Sequence, residues 1–120
     1  MQSTIEPMTM ERRQCARVLL GCPVMMKSTK GILVGQIIDI SASGAFICCK
    51  EPLEIEEGLE MHFRASPTSP TLVVLGKVVR SKVHCLDGQA NCHGMGIHFT
   101  KMSAQGRTII TDIVDKGSRV

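Results

Sequence analysis

The chain contains no tryptophan and no tyrosine, and three phenylalanines are its whole aromatic content. Its core therefore has to be assembled from Val, Ile, Leu and Met. A strong excess of charge of either sign is missing as well. Fourteen Lys and Arg against eleven Asp and Glu leave a net +3, too little for general coating of DNA or RNA. No stretch approaches the roughly 20 apolar residues that a membrane span requires. Leu19-Leu20-Gly21-Cys22 has the look of a lipoprotein cleavage box. The apolar run before Cys22 starts only at Val18, directly after Arg17, so the hydrophobic region of about 7–15 residues that such a signal needs is absent. These absences predict a cytoplasmic chain without membrane insertion, whose six cysteines are mostly reduced. Catalytic machinery is not visible either. There is no nucleophile–base pair at an interpretable spacing, no phosphate-binding loop with its lysine, and no carboxylate pair for metal-assisted hydrolysis. His62 and His98 read as lone strand histidines. The chain reads as a binding module and not as an enzyme.

What is present fits one domain, since 120 residues can bury a core but leave little room for a second. Residues 1–10 follow neither a strand nor a helix period and are expected to form a mobile arm. A single domain over 11–117 and a short tail over 118–120 complete the division. Val18 to Met26 holds Gly21 and Pro23 and reads as an edge strand with a bend. Lys27 to Gly31 is turn-like, Ile32 to Ile40 is rich in branched residues, Ser41 to Gly44 breaks that strand, and Ala45 to Cys49 resumes it. Leu59 to Ala65 alternates, with Met61 and Phe63 on one face, and Ser66 to Pro70 is a turn. Thr71 to Val83 is β-prone with a bulge signal at Gly76, Asp87-Gly88 signals a hairpin, and Met95 to Thr100 is the last strand. Only the end is helical, with Ser103 as N-cap, a stripe of Ile109, Ile110, Ile113 and Val114, and Gly117 as C-cap. Six closely spaced strands and one amphipathic helix predict a mainly β fold, a small antiparallel barrel with a C-terminal α-helix. Glu51, Glu54, Glu56, Glu57 and Glu60 form a solvated acidic face.

Two motifs carry the chemistry. Arg12-Arg13-Gln14-Cys15-Ala16-Arg17 supplies three guanidiniums, and Asp39-Ile40-Ser41-Ala42-Ser43-Gly44 supplies a carboxylate, hydroxyls and a glycine between two strands. The planar guanidinium fork donates two parallel hydrogen bonds to phosphate oxygens or to the O6/N7 edge of guanine. A carboxylate accepts from the N1 and N2 donors of guanine's Watson–Crick edge. Together they suit an anionic guanine nucleotide. Taken singly, RxxxR and DxSxxG carry little. In this order, followed by Gly94-Met95-Gly96-Ile97-His98-Phe99, they resemble the PilZ domain, a bacterial receptor module for cyclic di-GMP, over about Met10 to Lys116.

The resemblance implies a six-stranded antiparallel PilZ-type β-barrel with a C-terminal helix. Arg13 and Arg17 match the family's RxxxR element, and Asp39, Ser41 and Gly44 match its (D/N)xSxxG element. The arginines would hold phosphates and guanine Hoogsteen edges, Asp39 would accept from one guanine, and Ser41 and its neighbour Ser43 would bond nearby. Gly44 would permit a backbone angle or an approach that a Cβ blocks. Arg80 occupies a strand position where relatives often place a ligand contact, sometimes tryptophan, and Gly96 lies on the strand that floors the site. An arginine directly before RxxxR, here Arg12, goes with two mutually intercalated ligands per domain. The implied function is a stand-alone cytoplasmic receptor whose arginine arm orders on ligand and signals to an unidentified downstream protein in motility, pili, biofilm or virulence. It is expected as a monomer or weak dimer, with no metal and no DNA or RNA bound. Two alternatives remain open. One is a PilZ-like protein-interaction module without nucleotide. The other is a metal- or redox-responsive barrel using His84-Cys85 and Cys92-His93, although the six residues between the cysteines do not match usual zinc spacing. A Cys85–Cys92 disulfide is a further option for that loop. Cys48 and Cys49 are expected to face opposite sides of one strand.

Overall fold

Six segments rich in branched and sulfur-containing apolar side chains form strands. A computed structural model of the chain describes residues 17–84 and 93–118. The strands are β1 (Val18–Ser28), β2 (Gly31–Ile40), β3 (Gly44–Cys49), β4 (Gly58–Phe63), β5 (Leu72–His84) and β6 (His93–Met102), followed by helix α1 (Ala104–Ser118). They close into a barrel in the order β1-β2-β3-β6-β5-β4, with every neighbouring pair antiparallel. Closure removes the free edges that would otherwise template aggregation.

The core solves the shortage of aromatics with methionine. Met26, Met61 and Met95 are fully buried beside Ile37, Ile40, Ile47, Val74 and Val78, and their unbranched thioethers fill irregular space. Phe63 and Phe99 join them, whereas Phe46 stays outside the core. Along β4 the alternation is plain: Leu59, Met61 and Phe63 point inward, leaving Glu60 and His62 on the outer face.

β1 is not the edge strand its proline suggests, because it pairs with both β2 and β4. The ladder to β4 begins at Val24, so Pro23 stands where β1 has β2 alone as a neighbour and a missing N–H is tolerated. The expected bend is there, with Gly21 at a φ of 63° and a register shift between Leu19 and Cys22. β5 runs unbroken through Gly76, which sits at a register shift against β6, and a Cβ there would come 2.5 Å from Ile97 Cγ2. Asp87-Gly88, like Cys85, Cys92 and residues 1–16, lies outside the described residues.

The helix starts as its sequence indicates, with Ser103 Oγ accepting from Gly106 N–H at 3.0 Å. Ile110 is buried on the barrel, flanked by the partly buried Ile109, Ile113 and Val114. Gly117 is not the C-cap. It lies within α1, where a Cβ would collide with the Val18 side chain, so its role is close approach of the helix to β1. The glutamate run is largely exposed and pairs with lysines: Glu57 with Lys30, Glu56 with Lys77 and Glu54 with Lys82. No helix among the described residues is long and apolar enough to cross a membrane.

The described cysteines include two thiols and one disulfide-bonded residue. Cys22 and Cys49 are buried thiols outside any disulfide, but Cys48 is disulfide-bonded, its partner lying outside the described residues. The strand period accounts for the division, since Cys49 enters the core and Cys48 points to the opposite face, away from it. Burial pushes the Cys22 thiol pKa up, a backbone hydrogen bond opposing the shift only in part.

Candidate functional site

The site begins with a turn. After β2 ends at Ile40, Ser41 is fully buried and its side chain folds back onto its own loop. Its Oγ accepts from Gly44 N–H at 3.2 Å and from Ser43 N–H at 3.3 Å, and reaches Gly44 O at 3.3 Å. The backbone closes the same turn through Ser41 N–H to Gly44 O at 2.8 Å. This is the local chemistry short hydroxyl side chains favour, and it fixes where the chain re-enters the sheet. Gly44 is then pressed against β6, where a Cβ would collide with the Ile97 carbonyl oxygen. Close approach is what requires glycine there, and Gly44 is not among the positive-φ glycines.

That turn brings four outward-facing positions into one row across the barrel. Asp39 on β2 pairs with Phe46 on β3, Phe46 with Gly96 on β6, and Gly96 with Arg80 on β5. The next row runs Gly44, His98, Lys77. Above them lies a cleft of about 430 Å³, within the range of small-ligand sites, whose rim carries Arg17, Asp39, Ser43, Arg80 and His98. Its floor is bare at Gly44 and Gly96 and apolar at Phe46. A Cβ on Gly94 would occupy the place of the Phe46 ring, so that glycine is what lets the ring lie down on β6.

At one end of the row Arg17 Nε donates to Asp39 Oδ1 at 2.7 Å, in a pair whose side chains are 46% and 24% exposed. The acidic Glu51–Glu60 region is therefore not the partner of Arg17. Among the described residues this contact uses one nitrogen and one oxygen, leaving terminal N–H groups of the guanidinium and Oδ2 of the carboxylate for a ligand. The chemistry is that of a rim with two guanidiniums and a single carboxylate, an imidazole and a hydroxyl beside them, around a partly aromatic floor. Such a surface suits an anion with a planar, donor-bearing ring.

The structure gathers Arg17, Asp39, Ser43, Gly44, Arg80 and Gly96 at the cleft. Ser41 lies beneath the turn and does not line it. Arg12 and Arg13 lie outside the described residues. Phe46 and His98 also line the cleft, although the sequence singles out neither as a site residue and reads His98 as a lone strand histidine. Counting by two along the strands would have found both, since Phe46 follows Gly44 and His98 follows Gly96 at the strand period. No group of three His, Cys, Asp or Glu placed to hold a metal ion occurs among the described residues.

Comparison with solved structures finds the same barrel elsewhere. The chain superposes on Bacillus subtilis inhibitor of motility MotI/DgrA with a TM-score of 0.74 and 16% identity, covering 90% of this chain and 52% of that one. The PilZ domain of Escherichia coli YcgR, solved with c-di-GMP, gives a TM-score of 0.70 at 12% identity, covering 90% and 92%. Apo MrkH of K. pneumonia gives 0.72 at 17%, covering 89% and 50%. The chain thus spans about half the length of MotI and of MrkH. At these identities the likeness is one of fold. No curated protein matches the chain. The PilZ domain model matches residues 11–116, nearly the whole sequence. The chain belongs to the PilZ domain family.

Proposed function

We propose that the chain is a receptor module for cyclic di-GMP, acting by recognition and not by catalysis. The observation that carries this reading is the Arg17–Asp39 pair at the rim of the cleft. A guanidinium and a carboxylate held side by side offer both halves of a guanine nucleotide's chemistry, donors for phosphate or the Hoogsteen edge and an acceptor for N1–H and N2–H. The pair is partly exposed, so ligand groups replace it at modest cost. Arg80 faces Asp39 from the far end of the row and supplies the second cation. Phe46 and the bare Gly96 between them offer a surface on which a base plane rests.

Arg12 and Arg13 add two further cations from the segment before Arg17, and Arg12 supplies the charge that a stacked pair of ligands would need. Ser41 acts as a positioning residue, since its hydroxyl holds the turn that places Asp39 and Gly44. Binding changes the surface around the cleft, and that change is what a downstream protein reads, in a bacterial cytoplasm. Titrating isotope-labelled protein with cyclic di-GMP should shift the amide signals of Asp39, Phe46, Gly96 and Arg80 and leave those of Lys27 and Glu60 in place. Shifts spread evenly over the barrel, or none at the row, would refute the reading.

A further inference from the structure

Seven large apolar side chains are exposed among the described residues, and four of them share one patch. The cross-strand register places them. On the outer face, one row runs Val34 (β2), Met25 (β1), His62 (β4), Val73 (β5). The adjacent row runs Ile32, Lys27, Glu60, Leu75 on the same four strands. Ile32 and Val34 are 67% and 72% exposed, Val73 and Leu75 47% and 38%. Each row is apolar at both ends and more polar in the middle. In the middle, Glu60 Oε2 lies 2.6 Å from His62 Nε2, while the exposed Lys27 makes no ion pair among the described residues although it stands directly opposite Glu60.

We propose that this face pairs with a second copy of the same chain, about a two-fold axis running parallel to the strands along the β1–β4 seam. Such an axis exchanges β1 with β4 and β2 with β5 and keeps each row at its own level. Every position then meets a complement. Lys27 faces Glu60 of the second copy and Met25 faces His62, while Ile32 faces Leu75 and Val34 faces Val73. An isologous interface requires this self-complementarity, and a surface evolved for an unrelated protein does not. Strands aligned across the contact match the ordinary way in which two sheets pack. The convex barrel limits contact to these rows, so the area falls short of the roughly 800 Å² per partner of a standard interface, and the dimer is weak. β1 and β4 lie opposite β6 and β3 in the closed barrel, so both ligand clefts face outward from the dimer.

Sedimentation velocity across a roughly hundredfold range of protein concentration tests this, because a weak dimer dissociates on dilution. Wild type should pass from monomer to dimer over that range. Lys27→Glu and Glu60→Lys should each abolish the dimer by setting like charges face to face. The combined Lys27→Glu/Glu60→Lys variant should restore it. Val34→Glu should also be monomeric, with an unchanged melting temperature and unchanged affinity for cyclic di-GMP, which keeps this test separate from the ligand-binding one. A wild type that stays monomeric throughout would overturn the proposal and leave the face to a different protein. A dimer that survives the single charge reversals, or is not restored by the double one, would overturn it too.

Discussion

Asp39 and Ser41 stand two residues apart in one motif, yet the structure gives them opposite work, and their alanine variants should separate it. Asp39 is partly exposed and paired with an Arg17 whose side chain is 46% exposed. An ion pair of that kind contributes less than about 1 kcal/mol to folding. Asp39→Ala should therefore lower the melting temperature by about 5 °C or less. It removes the acceptor for a guanine edge, however, and a hydrogen bond to a charged group is worth about 1.5–3 kcal/mol, so affinity for cyclic di-GMP should fall roughly ten- to 150-fold. Ser41 is fully buried, and its Oγ is the acceptor for the N–H of Gly44, itself buried against β6. Ser41→Ala leaves that donor unpaired at a cost of about 1–3 kcal/mol, or about 4–15 °C in melting temperature for a domain of this size. Its side chain does not line the cleft, so affinity measured well below the melting point should change less than about fivefold. Differential scanning calorimetry and ligand titration on both variants give four numbers. A stable Ser41→Ala protein with lost binding, or an Asp39→Ala protein that melts far lower, would refute this division of roles.

The glycines of the cleft offer a second contrast. Gly44→Ala should cost about 1–3 kcal/mol by forcing β3 off the Ile97 carbonyl, whereas Gly96→Ala meets nothing closer than 3.5 Å and should melt like wild type while weakening ligand binding by intruding on the floor; equal melting temperatures would contradict the packing argument. Peptide mapping without reductant should recover Cys48 in a cross-linked peptide and Cys22 and Cys49 as thiols outside any disulfide, and a Cys48 thiol would refute that assignment. Iodoacetamide at pH 7–8 should label Cys22 slowly in the folded protein and fast after denaturation, since the raised pKa and burial keep its thiol protonated and shielded. Calorimetric stoichiometry should be two cyclic di-GMP per domain in wild type and fall to one in Arg12→Ala; one ligand in both would remove the stacked pair.

Much of the architecture was legible because period and punctuation agreed. β4 alternates cleanly, Gly76 marks a real irregularity, and Ser103 caps the helix that its apolar stripe predicts. The errors arose where a residue type has two uses. Pro23 suggested an edge, but barrel closure gives β1 a second neighbour just beyond it. Gly117 suggested a helix end, but tertiary packing against Val18 needed a residue without a side chain. The disulfide at Cys48 depends on chain proximity, which composition does not encode. At the site, the motif led to Arg17, Asp39 and Gly44, which line the cleft, and to the turn that Ser41 holds. Phe46 and His98 were not singled out as site residues because a lone aromatic and a lone histidine acquire meaning only once strand register sets them beside Gly96.

The central claim is that the row from Asp39 to Arg80, with Arg17 at its rim, recognises a cyclic guanine dinucleotide. Isothermal titration of the purified protein with cyclic di-GMP, against GTP and cyclic di-AMP under identical salt, tests it most directly. Saturable binding of cyclic di-GMP with neither control competing is the predicted result. No heat of binding with cyclic di-GMP, or equal affinity for cyclic di-AMP, whose base lacks the N1–H and N2–H donors that Asp39 would accept from, would contradict it.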